Sequence, residues 1–372
     1  MPFLDFQEAR LAAKRRLPRG IFEYIDRGTE RETALSHIRR SLDRTRIVPR
    51  VLQGAATRDL GVEIFGRKLP FPFMSAPTAF AGLVRHRGDV LLAAAAREAG
   101  IPFCVATESV MSVEDVRRDA GGDLWFQLYM WEGDHDWRRL LDRASACGVD
   151  VLIFTIDTAV FPKKVFNTRN GFGLPMRFGV RNVLDVATHS AWAADVLGRS
   201  LLSGALPRFA HHPRAAETSV LGRGIPPMRH QQGLSWEHVR QVRDHWKGKL
   251  VLKGILAPED ALMAVGHGVD SIVVSSHGGR NLDSIAAPIE CLPAIRDAVG
   301  RDLTIFADSC VQTGGDVLKL LRAGADAIFL GRALLYALGA EGQAGVSSML
   351  EIIRHELDIS MAFSGMKSIN SE

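Results

Sequence analysis

The sequence predicts an α/β chain folded as a (β/α)8 barrel of the TIM type, and three observations carry that expectation. Short apolar runs of strand length recur at 71–75, 103–107, 124–129, 151–157, 250–254, 271–275, 304–308 and 327–331. Helical patterns lie between them at 89–98, 113–119, 137–147, 258–265, 289–299 and 316–323, so strand and helix alternate as in repeated βα units. Several of these patterns stop at a glycine suited to a left-handed C-cap, namely Gly100, Gly148, Gly268, Gly300 and Gly324. Eight such units favour a closed barrel. An open doubly wound sheet is the alternative, because periodicity does not show closure.

Taken in order, residues 1–70 read as a helical extension ahead of the barrel. A first helix over 5–15 has Asp5 as its N-cap. A second begins at Leu17-Pro18, carries Phe22, Tyr24 and Ile25, and ends near Gly28. The barrel units follow, with Pro258 in a first helical turn, where its missing N–H costs nothing. One spacing departs from the rest: about 95 residues separate the fourth run from the fifth, too many for an ordinary connection. The stretch 175–235 is therefore an insertion, expected to cover the barrel mouth and to be partly mobile. Its apolar part, 192–209, is interrupted by Asp195, Gly198 and Arg199, which weakens a membrane-surface reading. The amphipathic stretch 347–361 supplies the last barrel helix. The expectation is a single domain over 1–372.

Composition narrows the function. The chain has 372 residues, 47% of them hydrophobic, and a net charge of +4 whose basic residues are dispersed, so no nucleic-acid partner is expected. Cys104, Cys147, Cys291 and Cys310 are too widely spaced for a disulfide framework and fit a reducing, cytoplasmic setting. No signal peptide or spanning helix is expected, and no His/Cys/carboxylate cluster has metal-ligand spacing.

In barrels of this kind the chemistry sits at the strand C-termini. Those ends read Ala76-Pro77-Thr78-Ala79, Gln127 and Tyr129, Thr155 and Asp157, Lys253-Gly254, Ser275 and His277, Asp308, and Gly331-Arg332. Polar groups at the ends of buried strands need partners, and a polar cofactor supplies them. The run Ser275-Ser276-His277-Gly278-Gly279-Arg280-Asn281-Leu282-Asp283 places a base beside a fixed cation, which suits proton abstraction from an anionic substrate. A surface turn would account for those residues taken alone. Gly331-Arg332 and the helix start Gly314-Gly315-Asp316 read as a phosphate site. No GxGxxG follows a strand, which disfavours a dinucleotide site.

Together these motifs resemble the FMN-dependent L-2-hydroxy acid oxidase and dehydrogenase family. The likeness runs nearly end to end, through Leu17-Pro18 to Gly28, 76–79, 125–129, 155–158, 252–254, 275–283, 330–332, 342–345 and 361–365. The resemblance implies FMN as cofactor and a 2-hydroxy acid as substrate. It implies His277 as base, Asp157 as its carboxylate partner, Arg280 and Tyr24 on the substrate carboxylate, and Tyr129 near the substrate hydroxyl. It implies Lys253 beside the flavin ring, with Ala76, Pro77, Thr78, Ala79, Gln127, Thr155 and Ser275 seating that ring. Asp308 would meet the ribityl chain, and Gly331 and Arg332 the phosphate. It also implies a homotetramer. The electron acceptor, whether oxygen, a quinone or a protein, stays open.

Six residues that depart from the family pattern cluster around this pocket. Lys164 stands where the family has a second carboxylate-binding arginine, and a lysine offers no bidentate fork. Ser276 replaces an asparagine, and Cys310 and Gln312 replace a glycine and an arginine. Ala106 replaces a serine, and Glu108 takes a position that often faces the substrate. Three readings follow: oxidation of an ordinary 2-hydroxy acid, the same chemistry on a larger or amino-bearing substrate, or a flavin-binding protein without turnover.

Overall fold

In the computed structural model the structure describes residues 3–132, 136–172, 179–202, 207–212 and 230–370. Ahead of the barrel, β1 (Val62–Ile64) and β2 (Arg67–Leu69) form an antiparallel hairpin. Eight parallel strands then make the barrel: β3 (Phe73–Ser75), β4 (Phe103–Ala106), β5 (Leu124–Leu128), β6 (Val151–Thr155), β7 (Lys249–Ile255), β8 (Ser271–Val274), β9 (Thr304–Ala307) and β10 (Ala327–Leu330). Their order is β3-β10-β9-β8-β7-β6-β5-β4, and β3 lies against β4 to bring the two ends together. Every residue of β4, β5, β6, β8 and β10 is buried. That explains the unbroken apolar runs, since a parallel strand is covered on both faces. All eight expected strands are present, and all but β7 are one or two residues shorter than their apolar runs.

The sequence reading did not resolve the hairpin. Its turn residues Phe65 and Gly66 have φ of 51° and 76°, as a two-residue type I′ turn requires. The Phe65 ring packs against Trp125 and Phe306, with centroids 5.9 and 6.0 Å apart. Trp125 stands near the start of β5, so the hairpin covers the floor of the barrel, opposite the strand C-termini.

Three helices precede the barrel: α1 (Phe6–Arg16), α2 (Arg19–Asp26) and α3 (Thr33–Arg44). Asp5 caps α1 by accepting from the Glu8 N–H, as expected. The second helix ends at Asp26, two residues before Gly28. Asp26 ties the extension down: Arg10 donates two hydrogen bonds to its carboxylate at 2.6 and 2.7 Å, and the Tyr336 hydroxyl a third at 2.7 Å. Tyr336 belongs to the last helix, Arg332–Ser364, which kinks at Glu341–Gly342 and packs along α1. The Asp283 carboxylate accepts from the Arg31 and Ala34 N–H groups at the start of α3.

The described parts of the insertion are docked onto the extension and the barrel. The Trp192 indole donates to the Leu83 carbonyl at 2.8 Å. Asp195 lies between Arg16 and Arg85, and Asp185 accepts from the Arg19 N–H. Phe209 is fully buried against Phe80. The His211 ring accepts from the Val113 N–H and donates to the Thr107 carbonyl; burial lowers its pKa to about 4, so it stays neutral. The expectation of partial mobility falls on 173–178, 203–206 and 213–229, which lie outside the described residues.

Candidate active site

A cavity of about 570 Å³ opens over the C-terminal ends of the barrel strands, within the ~300–1,000 Å³ usual for sites that enclose a small molecule. Its walls carry Tyr24, Ala76, Pro77, Thr78, Ala79, Glu108, Gln127, Tyr129, Thr155 and Lys164. They also carry Lys253, His277, Arg280, Asp308, Gly331 and Arg332. Asp157 and Ser275 stand one layer behind this surface, each bonded to a residue that reaches it.

The centre of the site is His277. Its Nδ1 lies 2.9 Å from Asp157 Oδ1, and its Nε2 lies 3.4 Å from the Tyr129 hydroxyl. A carboxylate partner on Nδ1 leaves the Nε2 lone pair facing the cavity. Burial alone would raise the Asp157 pKa, but the charge of His277, its hydrogen bond and Lys253 hold it below the usual carboxylate range. Asp157 fits because β7 is irregular at Gly254, where the register against β8 shifts. Gly254 has φ of 113°, and a Cβ there would come within 2.5 Å of the Asp157 Cβ. His277 itself has φ of 53°, followed by Gly278 and Gly279 at 62° and 71°. Its N–H donates to Ser275 Oγ at 3.0 Å, and Ser309 Oγ accepts from the Ser276 and Gly278 N–H groups. Those bonds hold a backbone shape that a β-substituted residue rarely adopts.

Lys253 is buried, donates to Ser275 Oγ at 2.8 Å, and pairs with Asp308 at 3.0 Å. Burial disfavours its charge, but Asp308 and Asp157 outweigh that and raise its pKa. Gln127 is locked by donating to Thr155 Oγ1 and accepting from the Thr107 N–H. The Arg280 guanidinium lies 5.0 Å from the Tyr24 ring and donates to the Tyr24, Ile25 and Arg27 carbonyls at the end of α2. Lys164 Nζ stands 5.3 Å from the same ring. Burial, reinforced by Arg280 and opposed by Glu108, lowers its pKa to about 7. Burial pushes the Tyr24 and Tyr129 hydroxyls up, so both stay protonated.

The donor set fits FMN. Gln127, Thr155 and Lys253 offer buried polar groups for a ring edge, and Arg332 offers a cation for a phosphate. A Cβ on Gly331 would meet only Ala76, at 3.8 Å, so the space beside it belongs to the cavity. The helix start at Gly314 does not contribute, contrary to the sequence reading. Its N–H donates to Glu356, the Gln312 and Thr313 N–H groups donate to Asp316, and Gly314 is pressed against the last helix. At this end Ser309 and Cys310 hold φ of 83° and 61°, and Arg332 donates to Cys310 Sγ at 3.7 Å. Arg39 is neutralised by Asp316 and Asp43.

Several residues of the site escaped the sequence reading. His230 lines the cavity between Tyr129 and Phe161. Asn281 braces the Asp157 carbonyl and Thr158 Oγ1. Asn281 lies inside the quoted glycine-rich run, so its sequence signal was present. His230 had none beyond its place in a Pro/Arg/His-rich stretch.

Comparison with known proteins identifies the family. Residues 13–371 match the family model described as FMN-dependent dehydrogenase. The chain is 39% identical to the L-lactate dehydrogenase of Azorhizobium caulinodans over 363 residues, covering 97% of this chain and 94% of that one. It is 39% identical to the L-lactate dehydrogenase of Pseudomonas aeruginosa over 364 residues, again covering 97% and 94%. Among solved structures, (S)-mandelate dehydrogenase, described as a monotopic membrane protein, superposes with a TM-score of 0.92 at 32% identity, covering 100% of this chain and 98% of that one. A mandelate oxidase bound to (S)-2-phenylpropionate gives 0.81 at 32% identity, covering 99% and 96%. The chain therefore belongs to the FMN-dependent dehydrogenase family.

Proposed function

We propose that this chain oxidises a 2-hydroxy acid to the corresponding 2-oxo acid, with His277 as the base that takes a proton from the substrate. The observation that carries this reading is the His277–Asp157 pair on the cavity wall, with Nε2 turned to Tyr129. Lactate and mandelate, named for the relatives, are both 2-hydroxy acids, which supports the substrate class. Bound FMN supplies the two-electron acceptor for the oxidation. Asp157 stabilises the imidazolium that forms when Nε2 holds the proton. Arg280, Tyr24 and Lys164 bind the substrate carboxylate, and the Tyr129 hydroxyl orients the substrate hydroxyl beside Nε2. Lys253 sets a fixed positive charge beside the flavin ring, where charge develops. Residues 76–79, Gln127, Thr155 and Ser275 seat that ring, Asp308 meets the polyol chain, and Gly331 and Arg332 hold the phosphate. Tyr24 and Ile25 of the 1–70 extension and His230 of the 175–235 insertion serve this one site as part of its wall. Anaerobic mixing with a panel of 2-hydroxy acids tests the reading. Bleaching of the flavin colour by at least one L-acid is expected, and a protein that binds FMN but is bleached by none contradicts it.

No helix among the described residues is long and apolar enough to cross a membrane. Val180, Val183, Leu184, Leu201 and Leu202 are nonetheless exposed on the insertion helices, near the exposed Arg181 and Arg199. These exposed side chains support contact of the insertion with a membrane surface, which co-sedimentation with anionic vesicles checks, and a cytoplasmic setting is proposed from the widely spaced free cysteines. The homotetramer is proposed from family resemblance, with light scattering as its check. Turnover with oxygen, a quinone and a protein acceptor separates the candidate acceptors.

A further inference from the structure

At one end of the cavity His230 Nε2 faces a Glu108 carboxylate oxygen without a hydrogen bond between them. His230 Nδ1 lies 3.3 Å from the Thr158 carbonyl oxygen. A carbonyl only accepts, so Nδ1 carries a proton, and in the neutral ring Nε2 then presents a lone pair. That Nε2 is buried, lies 3.4 Å from Glu108 Oε1, and has no hydrogen-bond partner among the described residues. The ring has no room to turn away. It is stacked between Tyr129, at 4.7 Å and 17°, and Phe161, at 4.9 Å and 30°. His230 is only 5% exposed, and both it and Glu108 line the cavity. With the ring neutral, the buried Nε2 and the partly buried Glu108 carboxylate repel unless a donor joins them, and leaving Nε2 unsatisfied is costly.

Tyr129 connects this end to the chemistry. Its hydroxyl lies beside His277 Nε2, while its ring stacks on His230. A side chain of a substrate held at His277 that runs past Tyr129 would lie toward His230 and Glu108.

We propose that Glu108 and His230 form a side-chain subsite that accepts hydrogen bonds from a donor at the far end of the substrate, so that the preferred 2-hydroxy acid carries a terminal ammonium or hydroxyl group. This rests on the 2-hydroxy acid reading of the same cavity. The donor sits between Oε1 and Nε2 and satisfies both. An ammonium also gains from the charge of Glu108 in a place where water screens weakly. A site built around such bonds rejects analogues that lack the donor, because its own polar groups are then stranded.

The test uses three 2-hydroxy acids of equal chain length ending in methyl, hydroxyl or ammonium, together with the matching 2-oxo acids. Flavin bleaching and kcat/KM are read with the hydroxy acids. Binding of the oxo acids to the FMN-loaded protein is read by thermal shift, which needs no turnover. Wild type should favour a donor-bearing acid over the methyl acid by about tenfold or more. Glu108→Ala should erase that preference. Glu108→Gln should lose the ammonium preference while retaining part of any hydroxyl preference, and His230→Phe should weaken both. Preference for ammonium or for hydroxyl identifies which donor the subsite takes. Equal treatment of all three acids by wild type overturns the proposal, as does an unchanged preference in Glu108→Ala. Equal treatment by wild type would mean that His230 takes up a proton and closes the pair by itself. Selective binding of the oxo acids without any bleaching would keep the subsite and refute the oxidation.

Discussion

At the scale of single residues, His277 works from a left-handed backbone position that two serine hydroxyls stabilise, and its Asp157 partner exists only because residue 254 lacks a Cβ. Lys164 yields a prediction of pH dependence. Its pKa, lowered to about 7 by burial, means that the ammonium is present below that pH and lost above it. An anionic substrate gains from the protonated form, so KM for a simple 2-hydroxy acid should rise as pH goes from roughly 6 to roughly 8. Lys164→Arg should flatten that rise, because an arginine stays charged throughout. KM measured across the range decides it, and a flat wild-type profile would place Lys164 away from the carboxylate. Most of these side chains were legible, because strand C-termini in a barrel converge on one face and each polar residue there could be read off an apolar run. His230 was not, since it reaches the cavity from a segment whose path no periodicity reveals. Ser309 was hidden for another reason: a serine at φ of 83° gives no sign in sequence that it stands in a left-handed turn and binds two N–H groups.

At the scale of elements, alternating strands and helices carried the barrel, while two short or irregular pieces stayed hidden. The β1–β2 hairpin has three-residue strands, too short to register as runs, although Phe65-Gly66 marked the turn. The helix α3 buries only Ala34, Ile38 and Leu42, spaced four apart within an arginine-rich stretch, so its apolar face is narrow. The insertion was legible as an excess of length but not as a docked structure. Its described helices hang on Trp192, which is 4% exposed and hydrogen-bonded to Leu83. Trp192→Ala should cost about 3 kcal/mol through lost packing and a stranded carbonyl. Urea unfolding of the FMN-loaded protein measures this, and a loss below about 1 kcal/mol would mean that the insertion is not anchored there.

At the scale of the whole molecule, the N-terminal extension is a wall of the site. Arg280 and Arg332 both donate to carbonyls at the end of α2, and Asp26 fastens that helix to α1 and to the last helix. The extension thereby sets the position of two cations facing the cavity, something its sequence suggested only through resemblance. The central claim is that His277 performs the proton transfer in a site that holds FMN independently of it. The most direct test is stopped-flow flavin bleaching by a 2-hydroxy acid in wild type and in His277→Ala, with bound FMN measured in both. Equal FMN content and a bleaching rate lower by about two to four orders of magnitude are expected in the variant. A variant that bleaches at nearly the wild-type rate would contradict it.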